Sequence, residues 1–336
     1  NNLVDTSVAV SGITYSSGSA PKTAGTYTAS VTVGGATASV EFTLSDYAAK
    51  VTDEDGNLIS NYKTLADAVT AAEVNEESTL TLLDDITVAQ EQDIKSGKFT
   101  LDLNGKNLVS ERGRVIESYA VLTIKDSGEG GTIYGKGGGN NAIKNKGTLT
   151  VESGTVKGDG GIDNYGTLTF NNGTVESGIY GAISNFNMAY VYDGVLRSSG
   201  SAAFNNYSTA YVYGGEISGV LNEGTAYISG GKIFRNNYAA FNLHAGTVEI
   251  TGGSFSGTDW DSGYVSGTPY GEWTVCYTEG VNLILKGGEF PNGFVVNEIT
   301  ANEFLADGYH FRNEQGKVVD GSSRIIKEKV TVEKGA

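Results

Sequence analysis

The chain has 336 residues, 48 of them glycine, with only 3 prolines, 1 cysteine and 1 methionine, and a net charge of −16. Glycine without a three-residue period excludes collagen, and 39% hydrophobic residues with 19 tyrosines and 12 phenylalanines exclude a disordered chain. The acidic excess, without any basic cluster, argues against nucleic acid and anionic membrane surfaces as partners. No run of about 18 apolar residues offers a membrane span. Cys276 has no internal disulfide partner, and with only His244 and His310 the chain lacks a zinc-ligand set, so no metal or other cofactor is expected. Low cysteine with abundant Gly, Thr, Ser, Asn and Tyr points to a bacterial extracellular protein, secreted or on the cell surface.

Residues 1–45 alternate as antiparallel strands over Ser7 to Val10, Thr26 to Val33 and Ala36 to Leu44, with Gly34-Gly35 as a two-residue hairpin turn. A complete sandwich needs about seven strands, so this unit reads as a partial one. Residues 46–75 read as a linker hairpin and a capping helix, in which Thr64 caps a stripe of Leu65, Ala68, Val69 and Ala72. Such a helix is a lid for the apolar end of a stack of repeats.

Residues 76–303 are repetitive. The unit Gly-Thr-Leu-x-Val-x-x-Gly-x-Val recurs seven times, from Gly147 to Val156 through Val281 to Phe290. Its eighth-position glycines are Gly154, Gly173, Gly194, Gly215, Gly231, Gly253 and Gly288, at steps of 19, 21, 21, 16, 22 and 35 residues. Apolar third and fifth positions have the period of a half-buried strand, the glycine marks a tight bend, and the apolar tenth position opens a second strand. One such turn cannot bury its own apolar side, so successive turns stack into a parallel β-solenoid. A second series, Asn145, Asn164, Asn185, Asn206 and Asn222, keeps the same steps and predicts an internal ladder of side-chain amides, with Asn242 as the next rung. Residues 304–336 read as a carboxy-terminal cap and a terminal strand with Ile325, Ile326, Val330 and Val332. That strand either caps its own chain or fills the incomplete amino-terminal sandwich of a neighbouring subunit or repeat.

These stacked coils and their asparagine ladder resemble right-handed parallel β-helix proteins of the pectate-lyase kind. With Tyr62 to Val69, Thr79 to Leu83 and Leu101 to Gly105, the chain is more similar to large surface proteins of Gram-positive gut bacteria. Ala20 to Tyr27 resembles the segment before a late strand of bacterial immunoglobulin-like repeats. The resemblance implies an all-β fold, a right-handed parallel β-helix with an amino-terminal capping helix, preceded by a partial immunoglobulin-like sandwich.

Outward positions of the main strand carry Tyr190, Tyr192, Tyr211, Tyr213 and Tyr227 on three consecutive coils, and Tyr165, Phe186 and Tyr207 form a second row. Such rings pack on the C–H faces of sugars or stack on each other. Trp260 and Trp273 fall in the longest insertion, which either joins a binding surface or covers the tyrosines. A lyase or hydrolase, the enzyme reading that the β-helix resemblance suggests, needs a recurring acid pair or a basic cluster, and none repeats on adjacent coils. Asp84-Asp85, Asp159/Asp163 and Glu111/Arg112/Arg114 read as solvated surface groups. The leading expectation is therefore a non-catalytic extracellular structural or adhesin module of a bacterial surface protein. Its partners would be itself, head to tail, or neighbouring repeats. A module that binds a neutral glycan through the tyrosine face is the alternative, and a polysaccharide-active enzyme ranks third.

Overall fold

The computed structural model describes residues 12–21, 25–44, 46–235, 239–257, 274–296 and 299–335. The predicted strand at Ser7 to Val10 and the insertion with Trp260 and Trp273 lie outside them. The described residues between Ser78 and Phe290 coil into a parallel β-solenoid of about eight turns, the all-β architecture expected from the repeat.

Each turn places one short strand on each of three sheets. The tyrosine sheet holds the main repeat strands, such as Thr167–Phe170, Met188–Val191 and Thr209–Val212. A third sheet takes the strands after each bend, such as Thr174–Ser177 and Val195–Ser198. Among the described residues the ladder sheet has nine strands, including Gly160–Asn164, Ile183–Asn185 and Phe204–Asn206. Equivalent residues pair across coils despite the unequal steps: Leu168 faces Ala189, Ala189 faces Ala210, and Ala210 faces Ala226. Loops at the corners absorb the length differences, so the register that buries one side of every strand is kept.

The bend glycines do what their spacing predicts. Gly173 has φ +105°, and a Cβ there would lie 2.6 Å from the Gly154 carbonyl oxygen of the preceding coil. A side chain at this corner would therefore meet both an unfavourable backbone conformation and a backbone clash.

Inside the coil the five asparagines form one unidirectional chain. Asn145 Nδ2 donates to Asn164 Oδ1 at 2.7 Å, Asn164 to Asn185, Asn185 to Asn206, and Asn206 to Asn222, the last three each at 2.8 Å. Each of the four donors also reaches a main-chain carbonyl of the next coil: Thr167, Met188, Thr209 and Thr225. All five side chains are fully buried. The sixth rung is a correction: Leu243, and not Asn242, is in register with Asn222, and Asn242 sits opposite Leu221 on the outward side. The chain of amides ends there because Asn222 Nδ2 finds its acceptors on the main chain, at Gly224 and Ala245.

Both ends of the solenoid are closed by the chain itself. At the start, Ala49–Thr52 pairs antiparallel with the first rung, Ser78–Leu82, and Leu58–Tyr62 pairs outside it. Helix α1, Leu65–Val74, lies over the open core with Leu65, Ala68, Val69 and Ala72 buried, and Thr64 Oγ1 caps it by accepting from the Asp67 amide. At the far end, Val330–Lys334 runs antiparallel between Glu289–Phe290 and Tyr309–Asn313. Ile325–Ile326 pairs with Phe294–Val295. Phe290, Phe294, Phe304 and Phe311 form an aromatic plug, with Ile326, Val330 and Val332 buried beside it. Within this chain the terminal strand pairs with its own last coil. Donation to another subunit would require this plug to open.

The amino-terminal unit is a single three-stranded antiparallel sheet of Thr14–Tyr15, Gly25–Val33 and Ala36–Leu44. Its hairpin turns at Gly34 and Gly35, both with positive φ, which suits the twist of a two-residue connection. No second sheet faces it among the described residues.

Candidate functional site

Stacking of the coils brings the predicted tyrosines together. Tyr190, Tyr211 and Tyr227 form one column, with ring centroids 5.3 and 5.1 Å apart and ring planes within 16° of parallel. Tyr192 and Tyr213, at the neighbouring corner, stack at 4.8 Å. At the opposite corner Tyr165, Phe186 and Tyr207 stack at 4.6 and 4.9 Å, with the Lys144 ammonium 5.4 Å from the Tyr165 ring centre. Across the tyrosine sheet these rows bound one face.

The orientation matters for what this face can do. Nearly parallel rings at these separations cover each other's π-faces, so solvent meets edges and hydroxyls, with free ring faces mainly at the row ends. Burial and the surrounding tyrosines also hold the Tyr213 phenol above its ordinary pKa, as burial, Glu223 and Asp163 do for Tyr207. Both of these phenols are therefore neutral at physiological pH.

The charged groups are mostly committed to one another. On the third sheet an open groove of about 730 Å³ is bordered by Lys157, Glu176, Arg197 and Glu216, which pair as Lys157–Glu176 and Arg197–Glu216, both at 3.6 Å. Asp85 accepts from the amide and side chain of Asn107, a staple between coils, and Asp84 accepts from the Asp85 amide. Glu111 pairs with Lys136 at 2.7 Å, and Asp159 accepts from the Gly139 amide. Among the described residues no group of three or more His, Cys, Asp or Glu side chains is placed to hold a metal ion.

Sequence reasoning missed two features on the outer face of the ladder sheet. The first is Glu117, buried on the coil before the asparagine ladder begins. Its carboxylate takes Lys146 Nζ at 2.5 Å, the Tyr119 hydroxyl at 3.0 Å and Arg114 Nη1 at 3.2 Å. The Lys146 hydrogen bond, followed by that of Tyr119, holds Glu117 below the ordinary carboxylate range despite burial. The second is a polar column, Lys144, Asp163, Ser184 and Asn205, in register on four consecutive coils. These are the residues between the inward apolar side chain and the ladder asparagine of each coil. They vary in type, so nothing in their identities announces the column, and only alignment on the ladder could have exposed it.

Burial raises the Asp163 pKa, against the opposing influence of Arg114, Lys144 and an Asn141 hydrogen bond at 2.5 Å. Because the folded value lies above the unfolded one, near 3.9, the carboxyl favours folding fully only below that pH, and the benefit is lost as pH rises through the folded value. Asp163→Asn is therefore expected to raise the melting temperature at pH 7 and to leave it nearly unchanged at pH 3, measured by thermal unfolding at the two pH values. A variant less stable at pH 7 would show that the ionised carboxylate is needed. Glu117 and Asp163 are two coils apart with Lys144 between them. No second carboxylate lines the pocket of Asp163 among the described residues.

Tyr190, Tyr192, Tyr211, Tyr213 and Tyr227 are thus one surface, while Trp260 and Trp273 lie outside the described residues. No family model, curated protein or solved structure matches this chain.

Proposed function

We infer that the chain is a non-catalytic extracellular module of a bacterial surface protein, a stiff spacer whose solenoid carries load or distance. The observation behind this reading is the buried amide chain, which runs through five coils and joins each to the next by side-chain and main-chain hydrogen bonds, under caps at both ends. Repeats joined in this way resist local opening, because loss of one coil exposes polar groups on both neighbours. The three-stranded amino-terminal sheet fits one layer of an immunoglobulin-like unit joined to this spacer. Head-to-tail assembly by donation of the terminal strand is the other use of this segment, and it would require the own-chain cap to open.

A test is to pull the chain between its ends by force spectroscopy, and to incubate it with neutral and acidic polysaccharides. Cooperative, high-force unfolding without new reducing ends or unsaturated products is expected. Turnover of any polysaccharide would overturn the reading. A second reading, adhesion to a neutral glycan, is favoured by Tyr192, Tyr213 and Tyr227 remaining 47%, 44% and 41% exposed on consecutive coils.

A further inference from the structure

On the outer face of the ladder sheet, beside the corner that carries Tyr207, lies a pocket of about 330 Å³ lined by Asn141, Asp163, Tyr180, Ser184, Asn205 and Tyr207. Asp163, Ser184 and Asn205 come from three consecutive coils and stand in register. Ser184 is 7% and Asn205 6% exposed. Asn205 Oδ1 is buried without a hydrogen-bond partner, and the Ser184 hydroxyl makes no hydrogen bond among the described residues. Elsewhere in this solenoid buried amides are satisfied with care, as in the ladder one residue away, where Asn206 donates to Ser208 O, Asn222 Oδ1 and Thr225 O. The Asn205 carbonyl oxygen is therefore a buried acceptor that awaits a partner from outside the chain, since leaving it unpaired weakens the free fold, and the Ser184 hydroxyl beside it is free to bond a molecule in the pocket.

The chemistry of the lining narrows that partner. Asn205 and Asp163 offer acceptors, Ser184 and Tyr207 offer hydroxyls that both donate and accept, and Tyr180 and Tyr207 add aromatic surface. A cation would meet the positive field of Arg114 and Lys144, which act on Asp163, and an anion would meet Asp163 itself. A neutral molecule with several hydroxyls satisfies both constraints, because each hydroxyl donates and accepts. The volume suits one sugar ring. We propose that this pocket binds one pyranose ring of a neutral saccharide, with Asn205 and Ser184 hydrogen-bonding adjacent ring hydroxyls and Asp163 accepting from a third.

The site does not depend on the spacer reading, and it is separate from the tyrosine rows except at Tyr207. The experiment is a titration of the full chain with glucose, galactose, mannose and N-acetylglucosamine, one at a time, followed through the side-chain amide resonances of Asn205 and Asn141. At least one sugar is expected to shift the Asn205 pair saturably. Asn205→Leu and Ser184→Ala should each weaken that sugar's binding by about tenfold or more while leaving the melting temperature unchanged or higher. If none of the four sugars moves the Asn205 resonances, or if binding survives both substitutions, the proposal fails. A lowered melting temperature in both variants would equally overturn it, by showing that the two side chains serve the fold.

Discussion

Replacing Asn185 with leucine is expected to lower the stability of the solenoid by about 3 kcal/mol or more. Asn185 accepts from Asn164 and donates to Asn206 Oδ1, Asn187 O and Thr209 O, and it is fully buried. Leucine would leave those carbonyl oxygens without that donor and Asn164 Nδ2 without one of its acceptors, with no water able to reach them. Size is not the obstacle. Leu243 occupies the equivalent position two coils beyond Asn206 and is completely buried there. Urea unfolding followed by circular dichroism reads the difference directly. A loss under about 1 kcal/mol would mean that the amide chain contributes little beyond filling space.

A chain that ends at Ser323 is expected to lose about 5 kcal/mol or more and to associate through its exposed end. Truncation removes Ile326, Val330 and Val332, each at least 96% buried, and uncovers the plug built on Phe290, Phe294 and Phe311. It also strips the pairing from the edges of Glu289–Phe290 and Tyr309–Asn313, leaving an open strand on the last coil. Light scattering of the intact and shortened chains distinguishes the alternatives for this segment. An intact monomer and an aggregating short form agree with a cap. Ordered polymers of the intact chain that vanish on truncation would instead mean that the terminal strand is donated between subunits.

The repeat was legible because each of its positions has one job at every coil. Gly154 through Gly288 all need the same left-handed bend, and Leu149, Leu168, Ala189 and Ala210 all face the same core. Thr64 and its apolar stripe were equally readable, since a helix cap and a period of about 3.6 residues are local signals. Asn242 misled because it lies one residue from the ladder position, and in a strand one residue exchanges the inner face for the outer. The Asp163–Ser184–Asn205 column was illegible for a different reason. Its members differ in type and charge, and lie 21 residues apart in the chain, so their common site exists only through stacking. The cap strand Val330–Lys334 has apolar alternation but no periodic partner, and nothing local selects Tyr309–Asn313 over another edge.

The direction of the asparagine chain gives this molecule a polarity and a natural unit of length. Every rung hands its hydrogens forward, and the final one, Asn222, passes them to backbone oxygens, so the series has a beginning and an end but no obligatory middle. Duplication of a whole coil would add one link, one glycine corner and one rung on each sheet without disturbing either cap. A partial duplication would break the series and turn outward faces inward. Whole-coil duplication thus changes the reach of the chain in steps of about 4.8 Å, a ruler graduated by its own internal amides.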